Sequence, residues 1–170
     1  KALKTLTVFG KTADNPVYVF PGWVDFASSN SNLTITGKPP LLAGLSSYAS
    51  GLNADSTIEL SDDGTKAIMS QLTDGLAKCT ASNLLAPPGC PLKAQPYGLL
   101  DGTARWGGFN DLNGVKLTFN PYDMSVLVLG QVKTTFSAST TSGGINTGTI
   151  TGFINAKADV SDSPPTLTYG

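Results

Sequence analysis

Chemistry in this chain would have to come from its carboxylates. The sequence holds eleven aspartates and one glutamate, Glu59, and no histidine. Without an imidazole the commonest general base near neutral pH is missing. Ser-His-Asp and Cys-His nucleophilic constellations are therefore impossible within the chain, and so is histidine-based zinc catalysis. No Ser-x-x-Lys, Gly-x-Ser-x-Gly, P-loop or Rossmann glycine pattern occurs. Hydrolysis of a glycan by two carboxyls needs a pair held at a defined separation across a cleft. The adjacent Asp62 and Asp63 do not provide it, because neighbours on a helix point about 100° apart. They suit the positive end of a helix dipole instead. Asn110-Asp111-x-Asn113-Gly114 is oxygen-rich but lacks EF-hand spacing, and turn chemistry explains it more simply. The expectation is no catalytic residue, no cofactor and no bound metal.

The remaining reactive groups are Cys79 and Cys90, the only two cysteines. They belong to the organising stretch of the chain, 61–91. Ile68, Leu72, Leu76 and Cys79 fall at i, i+4, i+8 and i+11 and share one helical face. Lys66, Gln71, Asp74 and Lys78 are left for solvent. Ser61, Asp62 or Asp63 can cap the N-terminus by accepting from free N–H groups. Gly75 weakens such a helix by roughly 1 kcal/mol relative to alanine, and close packing against a neighbour is a reason to keep it. The helix should end near 80–83, where Leu84-Leu85-Ala86-Pro87-Pro88-Gly89 returns to Cys90. A rigid Pro-Pro-Gly turn between two cysteines suits a disulfide, with an entropic gain on the order of 3 kcal/mol. The alternative is a pair of buried free thiols. Two thiolates alone do not complete a structural zinc shell.

Leu60-Ser61-x-x-Gly64, then Cys79, then Pro88-Gly89-Cys90-Pro91 resembles a family of uncharacterised actinobacterial (mycobacterial-type) membrane-anchored proteins. Their extracytoplasmic domains carry a PG-Y strand, an LT-x-x-G helix start, a C…P-x-G-C-P loop and a later tryptophan strand. Here the first element reads Phe20-Pro21-Gly22-Trp23, with Trp where the family often has Tyr. Trp106 matches the later strand. The resemblance covers roughly residues 16 to 110 and implies location and fold more than activity.

Composition points the same way. At 170 residues the chain is one domain, or two small lobes sharing a core. Apolar residues make up 40%, enough for a core, while charged residues are only 14%, well below the usual quarter. Net charge is −1 and arginine occurs once, at Arg105, so no basic run announces a nucleic-acid or anionic-membrane partner. No stretch approaches the ~20 apolar residues of a membrane span. No signal peptide is visible. The chain opens at Lys1 without Met and reads as an excised or processed domain, with any anchor outside it. Asn32-Leu33-Thr34 is a lone glycosylation sequon.

The remaining elements read mostly as strands. Lys4 to Lys11 is one strand, Val17 to Phe20 a second, resuming after Pro21-Gly22, and Leu33 to Thr36 a third. The stretch 38–53 is irregular, a cover for an open edge or an apolar flap over a cavity. Thr57 to Leu60 leads into the helix. Beyond the disulfide come strands over 103–109, 115–119, 124–136 and 149–160. Asn113-Gly114 favours a type I′ hairpin, Gly130 marks a bend, and 139–148 is a polar loop. Residues 166–169 are a short edge strand or a tail. Strands, one helix, then more strands, with no βαβ alternation, argue against a parallel sheet. The expected fold is α+β: antiparallel sheet, as two small sheets or one curled sheet, packed on one principal helix and stapled by one disulfide. It divides as 1–60, 61–91 and 92–170 within a single extracytoplasmic domain.

Three functions from different classes remain. The first is a non-enzymatic interaction or sensor module of the cell envelope, with another envelope protein as partner. The second is a carrier of a lipid or other apolar ligand. The third is a carboxylate-dependent envelope glycan hydrolase. The candidate ligand or partner surface comprises Trp23, Leu41, Leu42, Leu45, Tyr48, Leu84, Leu85 and Trp106. The two tryptophans read equally as core residues.

Overall fold

The computed structural model describes residues 2–12, 24–37, 56–109 and 112–170. These form an α+β fold of one α-helix and mainly antiparallel strands in several small sheets. The chain divides into two compact units, each discontinuous in sequence. One holds 1–67, 119–125 and 159–166. The other holds 68–118, 126–158 and 167–170.

In the first unit, β1 (Leu6–Val8) folds back into β2 (Lys11–Thr12), with Val8 opposite Lys11. Phe9 and Gly10 both take positive φ, 47° and 73°, the signature of a two-residue type I′ turn. The single strand expected over Lys4 to Lys11 is therefore the end of a 3-10 turn, Ala2–Thr5, followed by a hairpin, because the turn twist matches the strands where Phe-Gly supplies it. β1 also pairs antiparallel with β3 (Phe26–Ser28). β4 (Leu33–Gly37) and β5 (Ser56–Leu60) pair so that Leu33 meets Leu60 and Ile35 meets Ile58 on one face. Thr34 and Thr36 meet Glu59 and Thr57 on the other. This period-2 alternation selects the register, since a slip of one residue would turn the leucines outward.

Between β3 and β4, two buried asparagines replace strand pairing. The Asn30 amide donates to the Val160 carbonyl at 2.8 Å and the Ser161 carbonyl at 3.1 Å. The Asn32 amide donates to the Asp162 carbonyl at 2.8 Å. The Asn32 carbonyl accepts from the Ser61 N–H at 2.9 Å. A Cβ on Gly64 would lie 2.5 Å from that same carbonyl oxygen, so only glycine fits this third position of the helix's first turn. Here Ser61 is the N-cap: its hydroxyl accepts from the Gly64 N–H at 2.9 Å. Asp63 instead makes an exposed ion pair with Lys66 at 3.6 Å.

α1 (Asp62–Thr80) is the helix read from the periodicity. Ile68, Leu72, Leu76 and Cys79 are all buried, in the second unit. Cys79 and Cys90 form a disulfide, with Cα atoms 5.8 Å apart. A five-stranded sheet is built from β6 (Arg105–Phe109), β7 (Lys116–Asn120), β8 (Ser125–Ser139), β9 (Ile145–Asp159) and β10 (Thr166–Tyr169), most of whose residues belong to this unit. Its order is β10-β9-β8-β6, with β7 also paired to β8. β6 and β7 thus each use β8, rather than each other, and Asn113-Gly114 does not close a hairpin between them. That turn, closed by the Val115 N–H on the Leu112 carbonyl, has neither central residue at positive φ.

β8 runs unbroken through Gly130. A Cβ there would lie 2.8 Å from a Val115 methyl, so the glycine serves close strand approach. The expected loop over 139–148 is shorter, closed by the Thr140 N–H on the Gly144 carbonyl, and β9 begins at Ile145. Residues 166–169 are an edge strand. Even-numbered residues from Val126 to Ala138 and from Gly152 to Ala158 point inward, with only Gly130 half-buried, while odd-numbered neighbours point outward. Such alternation leaves one face packed and the other solvated.

Candidate functional site

Trp106 belongs to the core. It is 8% exposed, its ring lies 4.8 Å from that of Phe136, and its indole N–H donates to the Leu84 carbonyl at 3.0 Å. Leu85 is buried, its N–H donating to the Asp101 carboxylate at 2.8 Å. Leu84 keeps its side chain partly exposed while its carbonyl serves Trp106. The structure therefore brings Trp106 onto Leu84, beside the buried Leu85, in the disulfide loop. Trp23, Leu41, Leu42, Leu45 and Tyr48 lie outside the described residues.

Two open grooves border this unit's helix. The first, about 660 Å³, runs from the helix C-terminus at Thr80–Asn83 to Gly102–Trp106 and Ser139. Three of its hydroxyls are engaged internally. Thr80 donates to the Ala77 carbonyl, Thr103 donates to the Leu100 carbonyl and accepts from the Ser139 N–H, and Ser82 accepts from the Leu84 N–H. With the Trp106 ring packed away, little beyond Asn83 remains to grip a ligand. The second groove, about 430 Å³, lies along α1 between Gln71–Cys79, the Pro88–Cys90 turn and β10. Tyr169 crosses it and sets its hydroxyl on Gly75. That hydroxyl is buried without a hydrogen-bond partner, and desolvation raises the phenol above its ordinary value of 10.0. Gln71, expected in solvent, accepts from the Leu167 N–H at 3.1 Å and holds the edge strand.

The outward face of the five-stranded sheet is a broad solvated surface. Leu127 and Leu129 of β8 and Phe153 of β9 stand on it, 41%, 43% and 68% exposed. Around them are Gln131, Thr135, Thr149 and Thr151, all exposed. Arg105 pairs with Ser137 across β6 and β8, and partners in register share a face. Sequence reasoning missed this surface, because the run Val126-Leu127-Val128-Leu129 is apolar at every position and carries no polar alternation to mark its outward side.

Among the described residues no group of three or more Cys, Asp or Glu could hold a metal ion, and no helix is long and apolar enough to cross a membrane. The sequon is unusable in the folded chain: Asn32 is 2% exposed and its amide is committed to two backbone carbonyls. Comparison with protein-family models, with curated proteins and with solved structures returned no match.

Proposed function

We propose that this chain is a non-enzymatic extracytoplasmic interaction domain of a cell-envelope protein, docking through the outward face of the β6–β10 sheet. The observation that carries the reading is the exposed set Leu127, Leu129 and Phe153 on neighbouring strands of that one face. Large apolar side chains grouped on a solvated surface favour contact with a partner. A disulfide belongs to oxidising compartments, and the low charge content and the resemblance to anchored actinobacterial domains support the same location. An anchor would lie outside this chain.

The test is site-specific photo-crosslinking in the native envelope, with the photoreactive residue at Leu129, at Thr151 and, as a control, at Thr73 on the exposed side of α1. Adducts at the two sheet positions and none at Thr73 are expected. Equal or absent labelling at all three would remove the sheet face from consideration. Native mass spectrometry on the same preparation separates the alternatives. A lipid adduct would favour an apolar-ligand carrier, and turnover of envelope glycan fragments would favour a hydrolase.

A further inference from the structure

The near-neutral total charge conceals a segregation. The first unit carries five lysines against nine carboxylates, net −4, and the second six cations against three carboxylates, net +3. Four of those six cations, Arg105, Lys116, Lys133 and Lys157, lie on strands of the five-stranded sheet and are exposed. Arg105 shares the face of its partner Ser137, and Lys133 and Lys157 stand at outward positions of β8 and β9. The carboxylates of the unit lie elsewhere. Asp74 is on α1, Asp101 is tied to the Leu85 N–H, and Asp111 is outside the described residues. Lys157 and Asp159, near the end of β9, each hold a partner of their own.

Between the charges the face presents short hydroxyls, Thr135, Ser137, Thr147, Thr149 and Thr151. Arg105 and Lys133 are separated by about 13 Å along the strands, from four residues at ~3.3 Å each. That spacing exceeds the screening length of about 8 Å at physiological salt, so each cation meets its own counter-charge. Cations set among hydrogen-bonding hydroxyls complement a polymer whose anionic groups recur along a hydroxyl-rich chain, as the carboxylate on each sugar of polygalacturonate does. A nucleic acid, with a charge every ~1.7 Å of duplex, calls for a denser array.

We infer that the outward face of this sheet binds an acidic polysaccharide, a carboxylate- or phosphate-bearing envelope glycan. Arg105 and Lys133 would pair with its anionic groups and the threonine hydroxyls with its sugar hydroxyls. The inference rests on the docking reading above and names the partner for that same face. Its test uses the full chain with polygalacturonate and with the methyl ester of the same polymer, which masks the charge. Binding to polygalacturonate is expected, at least tenfold weaker for the ester and weaker again as salt rises. Charge reversal on the face, R105E with K133E, should lower affinity at least tenfold. The charge-matched K78E with K93E, off the face, should change it less than twofold. Equal binding of both polymers, or equal loss in both double variants, would overturn the glycan assignment. No binding to polygalacturonate, together with protein adducts at Leu129 and Thr151, would overturn it while leaving the docking face standing. No binding and no adducts would remove both readings.

Discussion

Tyr169 rests its hydroxyl on Gly75, in the space that a side chain at position 75 would occupy. The glycine that weakens the helix is thus what lets the last strand lie against it. The Leu167 N–H donates to Gln71 four residues earlier on α1, and the Gly170 N–H donates to the Asn155 carbonyl. The edge strand is held on both sides, which also removes one of its outward N–H groups from pairing with other chains.

Gly75→Ala should therefore destabilise despite a helix-propensity gain of about 1 kcal/mol. Overpacking against the phenol costs about 1–3 kcal/mol, so thermal melts should show a net loss of about 1 kcal/mol. In a Tyr169→Phe background the loss should shrink. A more stable single variant would mean that Tyr169 does not hold its position.

Tyr169→Phe removes a buried hydroxyl that has no partner. Its stability at neutral pH should be unchanged or higher by up to about 1 kcal/mol. The pH dependence has a definite sign. The folded-state phenol is raised above the unfolded value of 10.0 by desolvation, so the folded state holds its proton more tightly. The resulting contribution is complete below pH 10 and is lost as pH rises through the folded value. Denaturant midpoints measured from pH 8 to 11 should fall more steeply for the parent protein than for Tyr169→Phe. Parallel curves would sink the idea.

Replacing both cysteines by serine, or reducing the protein, should lower stability by about 2–4 kcal/mol by releasing the loop that carries Leu84 and Leu85. Because the Leu84 carbonyl serves Trp106, the reduced protein should show a red shift in tryptophan emission before global unfolding.

Asn32→Ala leaves the Asp162 carbonyl without its buried donor. A loss of about 1–3 kcal/mol is expected from chemical denaturation. Secretion from a glycosylating host should yield folded protein of unmodified mass, since the sequon asparagine is inside. A glycan on folded protein would show that the Asn30–Asn32 turn opens.

Periodicity alone was enough to place α1 and its buried face, because Ile68, Leu72, Leu76 and Cys79 repeat at the helical spacing and Ser61 offers the cap. Alternation of Val115, Leu117 and Phe119 likewise marked β7, whereas in β8 the run Val126-Leu127-Val128-Leu129 is apolar at every position and only the sheet decides which side is buried. The loop from Cys79 through Pro87-Pro88-Gly89 to Cys90 announced its own disulfide, since a short rigid loop between the only two cysteines has few other ways to close. What remained hidden was non-local. Phe9-Gly10 looks like strand until the antiparallel pairing of β1 and β2 requires positive φ. Asn113-Gly114 carries hairpin chemistry, yet its flanking strands find β8 as the better partner. The Tyr169–Gly75 contact spans most of the second unit in sequence, and no pattern in either segment encodes it. The cationic sheet is of the same kind. Arg105, Lys116, Lys133 and Lys157 are scattered in a chain of net charge −1, and only strand pairing collects them, because a sheet gathers residues that are distant along the chain.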